Sequence, residues 1–333
     1  MTPGSGLAPC HHGEILQGVF ADGEGRPCRG LVTLPLAEPV TRAVFVPLPG
    51  APAHRIAVAP AGRAKAARAA RLAVAECARR SGLAACGGRL GLSGGVPVGL
   101  GMGSSTSDVI ATVRAVAASF AVALSPREVA RIAVRAETAA DPTMLDARPV
   151  LFAQREGRVL EDLGPALPAC VVVGCLTGGG RPVSTLALPA VRYGAADLAA
   201  FEELRALLRR AVADADPVLL GRVSTESARR NQSVAPKPEF GLLEEAARRG
   251  GGAGVQVAHS GNVAGVLFDA AAPDLTERVR DCVRRLRDSG VPVTRIFRTP
   301  SGVTEREYGQ PHLRGDRQTG PGGPRQRTRL PAV

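Results

Sequence analysis

The run at residues 97–108, P-V-G-L-G-M-G-S-S-T-S-D, leaves little freedom for what surrounds it. A short apolar stretch with a glycine break, residues 90–97, leads into it. Beyond it Val109, Ile110, Val113, Val116, Ala117 and Phe120 fall on one face of a 3.6-residue period. The run is therefore expected at a helix N-terminus. There the first backbone N–H groups have no intrahelical partner and the helix dipole is positive, a setting that suits a phosphate. Gly99, Gly101 and Gly103 let the backbone approach a bulky anion and tolerate positive φ. Ser104, Ser105 and Thr106 add hydroxyls that can bond phosphate oxygens or reach a hydrated Mg²⁺.

Neither common nucleotide fingerprint is present. The Walker A pattern needs a lysine that does not follow Gly103, and the dinucleotide pattern needs a glycine at 104 or 106, where serine and threonine stand. A glycine-rich turn before a helix is also an ordinary connector, so the loop needs support from the rest of the chain.

The 333 residues, 45% of them hydrophobic, suffice for one large or two modest domains. There is no run of 18 apolar residues and no basic start followed by an apolar stretch, so neither a membrane span nor a secretory signal is expected. The cysteines (Cys10, Cys28, Cys77, Cys86, Cys170, Cys175, Cys282) are scattered and form no C-x-x-C pair, which points to free thiols in a reducing cytoplasm. The net charge of +12 invites a nucleic-acid reading, but aromatics make up 3% of the chain and stacking platforms are scarce. Of 42 basic residues only Lys65 and Lys237 are lysine, a bias expected of a GC-rich genome. Nucleic acid is not expected as a partner, and a basic surface that attracts an anionic cofactor is the reading kept.

Taken in order, residues 1–9 are expected to fray. Ile15, Val19 and Phe20 fit a strand, and 22–25 a hairpin turn into a strand at 29–35, with another at 41–47. Helices are expected over 63–80, from the glycine-serine loop to about 122, and over 126–137, where Ser125-Pro126-Arg127-Glu128 is a capping box with proline at N1. Strands follow at 149–153, 158–162, 170–175 and 181–188, then helices at 197–213 and 218–230. Strands at 255–257 and 263–268, a helix at 274–289 and a strand at 291–297 complete the ordered part. From 299 to 333 the glycine, proline, arginine and glutamine content reads as a disordered basic tail.

The pattern P-x-x-x-G-M-G-S-S-T-S resembles the P-x-x-x-G-L-G-S-S-A signature of the GHMP kinases. The resemblance implies that Pro97, Gly99, Leu100, Gly101, Met102, Gly103, Ser104, Ser105 and Thr106 wrap the phosphates of ATP, with Ser105 helping to hold Mg²⁺. Two further landmarks resemble the threonine kinases of the cobalamin pathway, a branch of that superfamily. H-G-E-I-L-Q-G at 12–18 is similar to their C-G-E-L-x-Q-G, with His12 where their cysteine stands. It implies that Glu14 and Gln17 lie on the substrate side. The residues alone also allow Glu14 as a solvated strand end and His11-His12 as a polar loop. Adjacent histidines on an extended chain point apart and make a poor metal site. S-A-R-R-N-Q at 227–232, K-P at 237–238 and G-V-Q-V-A-H-S-G at 254–261 are similar to a series that the branch carries in the same order. They imply a glycine hairpin that folds back to the site, with His259 and Ser260 donating to a substrate carboxylate or to the transferred group. Lys237 is either a substrate cation or a solvated loop residue.

A phosphoryl-transfer site also needs carboxylates, and E-T-A-A-D-P-T-M-L-D at 137–146 supplies them. It resembles the branch's E-P-T-D-[GS]-T with one extra residue between the acids. Glu137 is read as the Mg²⁺ ligand with Ser105, and Asp141 as the base or orienter of the acceptor hydroxyl. Asp146 rivals it for that role.

Together these expectations give a two-domain α+β GHMP kinase fold: an N-terminal ribosomal-protein-S5-like domain at 1–165, a ferredoxin-like domain at 166–298 and the tail at 299–333. The implied activity is an ATP- and Mg²⁺-dependent kinase of a small hydroxylated, amino-acid-like substrate, with L-threonine the leading acceptor. Two alternatives stand beside it: a GHMP kinase of another hydroxylated metabolite, and a non-catalytic ligand-binding or regulatory module. A homodimer is left open.

Overall fold

The computed structural model describes residues 1–181 and 193–299. Beyond Arg181 the strand expected over 181–188 lies outside the described residues, as does the tail from 300 onward. Thr299, expected to open that tail, is buried, and its hydroxyl accepts from the Cys170 N–H at 2.9 Å.

The chain opens on a long antiparallel hairpin, β1 (Gly4–Ala21) and β2 (Pro27–Leu48). At its tip Asp22 Oδ1 accepts from the backbone N–H groups of Glu24 and Arg26, both at 2.9 Å. The expectation that residues 1–9 fray is corrected: Gly4–Pro9 pair in register with residues 40–45 of β2. They also lie flat on the helix α2 (Ser104–Ser119). A Cβ at Gly4 would meet the Ala115 carbonyl oxygen at 2.3 Å, and one at Gly6 would meet that of Ala111 at 2.3 Å. Glycines make this close approach, so the segment carries few of the apolar side chains that announce a strand.

β3 (Ile56–Ala59), α1 (Ala64–Ser81) and β4 (Gly87–Gly94) follow; β3 and β4 pair in parallel, and β4 pairs antiparallel to β2. After α2 comes α3 (Pro126–Glu137), whose N-terminus carries the expected box: the Glu128 carboxylate accepts from the Ser125 backbone N–H at 2.8 Å. Phe45, Val74, Ile110, Val116, Phe120 and Ile132 form the core between β2 and α1, α2 and α3. β5 (Val150–Ala153) and β6 (Arg158–Asp162) make a short hairpin that joins β2 at Leu31.

The second half contains β7 (Cys170–Leu176), α4 (Ala195–Ala213), α5 (Pro217–Asn231), α6 (Phe240–Arg249), β8 (Gly254–Val257), β9 (Val263–Asp269), α7 (Leu275–Asp288) and β10 (Val293–Arg298). α6 was not anticipated. It buries Phe240, Leu243, Ala246 and Ala247 against β8 and β9 in a core shared with Cys282 and Leu286 of α7. A third core sets Ile15 and Phe20 of β1 against Phe201 and Leu208 of α4 and Leu220 of α5.

Among the described residues ten strands form one sheet, eight along the path β10-β7-β9-β8-β1-β2-β4-β3, with β5 and β6 beside it. β1 is its spine. It pairs with β2 along its length but meets β8 through the single pair Glu14–Val257. The described cysteines are buried free thiols, and no described helix is long and apolar enough to cross a membrane.

Candidate active site

The glycine-serine loop connects β4 to α2 as the sequence requires. Gly99, Gly101 and Gly103 all have positive φ (77°, 87° and 68°), and Gly103 is the N-cap of α2. Gly101 has a second reason to be glycine: a Cβ there would meet the Ala258 methyl and the Ser260 carbonyl oxygen at 2.6 Å. The turn between β8 and β9 closes directly on the loop. The Leu100 carbonyl accepts from the N–H groups of Asn262 and Val263, both at 2.9 Å. Met102 is buried with Cys10, Leu36, Ala258 and Val263, and its carbonyl accepts from the His11 N–H at 3.3 Å. Pro97 is half-buried at the entry to the loop. Ser104, Ser105 and Thr106 occupy the first turn of α2, where the unpaired N–H groups and the positive dipole end make an anion cradle.

The acidic segment approaches from the end of α3. Ser105 Oγ donates to Glu137 Oε2 at 2.7 Å and Thr106 Oγ1 to Glu137 Oε1 at 2.8 Å. Burial pushes the Glu137 carboxyl up to about 7, against the pull of the Ser105 and Thr106 hydroxyls. Lys65, from the first turn of α1, brings its Nζ within 3.5 Å of Glu137 Oε2. A serine hydroxyl beside a buried carboxylate, at the mouth of a phosphate cradle, is an all-oxygen donor set that fits Mg²⁺.

Asp141 caps a short 3₁₀ turn, Pro142–Leu145, and lies 3.4 Å from Thr106 Oγ1 through Oδ2. Asp146 is exposed and turned to Arg114 at 3.5 Å, so the geometry groups Asp141, and not Asp146, with Glu137.

His11 completes this group. Its Nε2 stands 3.1 Å from Asp141 Oδ2 and its Nδ1 3.3 Å from the Gly13 carbonyl, with Glu14 Oε1 at 3.7 Å. In a regular strand residues three apart face opposite sides. The register breaks between His11 and Glu14, and Gly13 takes φ 69°, which turns both side chains to the same face. Burial favours a raised Asp141 pKa, but the His11 charge and hydrogen bond outweigh it and hold the carboxyl down at about 2. Burial likewise opposes a charged His11, and Asp141 overcomes it, so the His11 pKa is raised. Both shifts run in the direction that favours an imidazolium paired with a carboxylate.

The polar-loop reading of His11-His12 is corrected: both are buried within β1. They do point apart. His12 packs on Phe297, ring centroids 5.0 Å apart, and its Nδ1 accepts from Gln256 Nε2 at 2.7 Å. Burial, Arg295 and His11 push its pKa down to about 3, so it is neutral. The position at which the first motif departs from the threonine-kinase pattern thus faces away from Asp141.

Glu14 is no solvated strand end. It is buried, and it accepts from the His259 backbone N–H at 2.5 Å and from His259 Nδ1 at 3.0 Å. Burial works against charge on His259, but the Glu14 charge and hydrogen bond outweigh it, with help from Asp141, and lift its pKa to about 9. Ser260 Oγ lies 3.3 Å from His259 Nε2. Gln17 Nε2 donates to the Val257 carbonyl at 3.3 Å, so its amide is engaged with the backbone of β8. Lys237 is buried, and its Nζ donates to the Gly261 carbonyl at 2.6 Å.

Sequence reasoning missed His11 and Lys65 as members of the site. Nothing in the spacing of His11 marked it. Lys65 carried one signal: it is one of two lysines in a chain otherwise supplied with arginine; it reaches Glu137, and the other, Lys237, reaches Gly261 beside Ser260.

Residues 65–153 match the family described as GHMP kinases N terminal domain. The chain is 28% identical to the L-threonine kinase of Salmonella typhimurium strain LT2 over 187 residues, 56% of this chain and 62% of that protein. The match therefore spans less than two thirds of that relative's length. Among solved structures, homoserine kinase from Cytophaga hutchinsonii aligns with a TM-score of 0.66 at 13% identity, over 91% of this chain and 96% of that one. Phosphomevalonate kinase of Streptococcus pneumoniae, in complex with phosphomevalonate and AMPPNP, aligns with a TM-score of 0.62 at 13% identity, over 90% and 100% of the two chains. The likeness to these two is one of fold.

Proposed function

We propose, from the premise that residues 65–153 are a GHMP kinase N-terminal domain in a chain of GHMP kinase fold, that this protein is an ATP-dependent kinase of a small hydroxylated substrate, with L-threonine the leading acceptor. The observation that carries the reading is the meeting of two hydroxyls from the first turn of α2, Ser105 and Thr106, on the carboxylate of Glu137, with Asp141 beside them. This is the set of groups that phosphoryl transfer asks for, and little covalent chemistry remains for the protein to do.

In this reading the loop from Pro97 to Thr106 holds the nucleotide phosphates through backbone N–H groups and the α2 dipole. Ser105 and Glu137 hold Mg²⁺, which when bound offsets charge on the transferred phosphoryl group. Asp141 accepts a hydrogen bond from the acceptor hydroxyl. A carboxylate held near pKa 2 is a weak base, so its work is to align that hydroxyl and to take its proton late in the transfer. His11 keeps Asp141 ionised and fixed. In this reading His259 and Ser260 face the acceptor, Glu14 holds His259, and Gln17, whose Nε2 is tied to β8, keeps its amide oxygen for the substrate side; the acceptor lies in a cleft between an N-terminal domain at 1–165 and a second domain at 166–298. A small-molecule kinase of the cytoplasm fits the chain, with no role for membrane or nucleic acid.

A second reading keeps the kinase and changes the acceptor to another hydroxylated metabolite. The extra residue between Glu137 and Asp141 favours it. The intact hydroxyl–carboxylate contacts speak against a non-catalytic module. The test is ATP consumption with Mg²⁺ against a panel of hydroxylated amino acids and related metabolites. Turnover highest with L-threonine is the expected result. Turnover highest with another member moves the reading to the second acceptor class, and absence of Mg·ATP binding overturns it.

A further inference from the structure

The groups gathered around His11 are a metal-binding set of their own. His11, Glu14 and Asp141 come from two distant parts of the chain, and one ligand atom from each lies within 4.8 Å of the other two. His11 and Glu14 are both 1% exposed, and Asp141 is 8% exposed. Two carboxylates and an imidazole make a mixed nitrogen and oxygen donor set. It differs in kind from the hydroxyl of Ser105 and the carboxylate of Glu137, which offer oxygen alone. His12 faces away and takes no part.

The supporting contacts are those of a metal site. His11 Nδ1 lies 3.3 Å from the Gly13 carbonyl, which can only accept, so Nδ1 carries a proton. Nε2 is therefore the nitrogen turned to Asp141, at 3.1 Å. A metal-ligating histidine is oriented in this way, with one ring nitrogen donating to a backbone carbonyl and the other on the ion. Glu14 is held in turn: its carboxylate accepts from His259 Nδ1 at 3.0 Å and from the His259 backbone N–H. Ligating carboxylates carry such outer hydrogen bonds. Gly103 supplies room. A Cβ there would stand 2.5 Å from His11 Nε2 and 3.2 Å from Asp141 Oδ2, so the glycine leaves open the space in front of these two atoms. The side chains of Asp141 and His259 keep 12% and 25% exposure, which gives an ion a way in from solvent.

We propose that His11, Glu14 and Asp141 bind a divalent transition metal ion with affinity for imidazole, of the class of Zn²⁺, at a place separate from the Mg²⁺ ligands, and that the ion inhibits the protein. The ion takes the place of the proton between His11 Nε2 and Asp141 Oδ2, and that proton passes to solvent. Asp141 is then held by the metal and no longer accepts from the acceptor hydroxyl. The binding site does not depend on the kinase reading above; the inhibition rests on it.

Zn²⁺ binding to the full-length protein is titrated against a chromophoric chelator in millimolar Mg²⁺ without nucleotide, and the neighbours of the bound ion are read by X-ray absorption at the zinc edge. A single equivalent is expected, with imidazole and oxygen neighbours and no sulfur. His11→Gln is expected to weaken binding by roughly 10-fold or more, as for loss of a ligand or its support, while Glu137→Gln changes it little. Turnover of the wild type is expected to fall over the Zn²⁺ range that fills the site, and added Mg²⁺ is expected not to restore it. Four outcomes overturn the site: no bound zinc, sulfur neighbours, displacement of the zinc by Mg²⁺, and a His11→Gln variant that binds as the wild type does. The wild-type absorption spectrum decides even if the variant does not fold. Zinc that fills the site without slowing turnover overturns the inhibition. A wild type that binds zinc as expected but no Mg·ATP keeps the metal site and fails at the kinase reading instead.

Discussion

His11 Nε2 lies 3.1 Å from Asp141 Oδ2, a buried pair that joins the first strand of the chain to the turn after α3 across 130 residues. The imidazolium is the largest influence that keeps this buried carboxyl ionised. Removing it as His11→Gln leaves Asp141 buried beside a neutral partner, so its pKa rises. The acid limb of the pH–rate profile is expected to move upward by about 1–3 pH. Asp141→Asn is expected to lower kcat by roughly 100-fold or more, as for loss of the group that orients the acceptor hydroxyl. Stopped assays of both variants from acid to neutral pH check these outcomes.

Ser105 and Glu137 share a 2.7 Å hydrogen bond at the mouth of the phosphate cradle. Ser105→Ala and Glu137→Gln are each expected to lower turnover by roughly two orders of magnitude or more. Both should also need more Mg²⁺ for half-maximal rate, which a Mg²⁺ titration at saturating ATP reads directly.

The Glu14–His259 pair makes a pH-dependent contribution to stability. The His259 pKa is raised to about 9 from its ordinary 6.5. A group whose folded pKa is raised stabilises the fold fully below its unfolded pKa and loses that contribution as pH climbs through the folded one. Glu14→Gln removes the partner charge. The Tm gap between wild type and Glu14→Gln is therefore expected to be widest near neutral pH and below, and to close as pH passes about 9. Thermal melts across that range give the answer; a gap that widens with pH contradicts the pairing.

Gly6→Val is expected to destabilise the fold by about 1–3 kcal/mol, since a forced side chain must push strand and helix apart. A Cβ at this position would stand 2.3 Å from the Ala111 carbonyl oxygen on α2. Chemical denaturation of the variant measures the cost. A neutral result would mean that the first strand does not rest on α2.

Much of this arrangement was legible in the residues. The α2 face, the capping box at Ser125, the hairpin turn at Asp22 and the strands around the third glycine motif follow from local patterns, and each element forms where the pattern lies. Where the local signal is carried by absence of a side chain, it failed. Gly4 and Gly6 read as a frayed end because a strand that packs through bare backbone has no apolar period to detect. Glu14 and His11 read as solvated because charge suggests exposure. What buries them are partners 245 and 130 residues away, and no spacing rule reaches that far. The helix at Phe240–Arg249 was overlooked because it is short and follows a proline, although Phe240, Leu243, Ala246 and Ala247 do repeat at helical spacing.

β8 meets β1 through one rung, Glu14–Val257, while helix α5 packs across the same seam against both strands. With one backbone rung between the strands, side chains carry much of the remaining join: Glu14 accepts from the His259 N–H and Nδ1, and Gln17 donates to the Val257 carbonyl. The joint of the sheet and the candidate site are thus built from the same residues, so a change at Glu14 disturbs both at once.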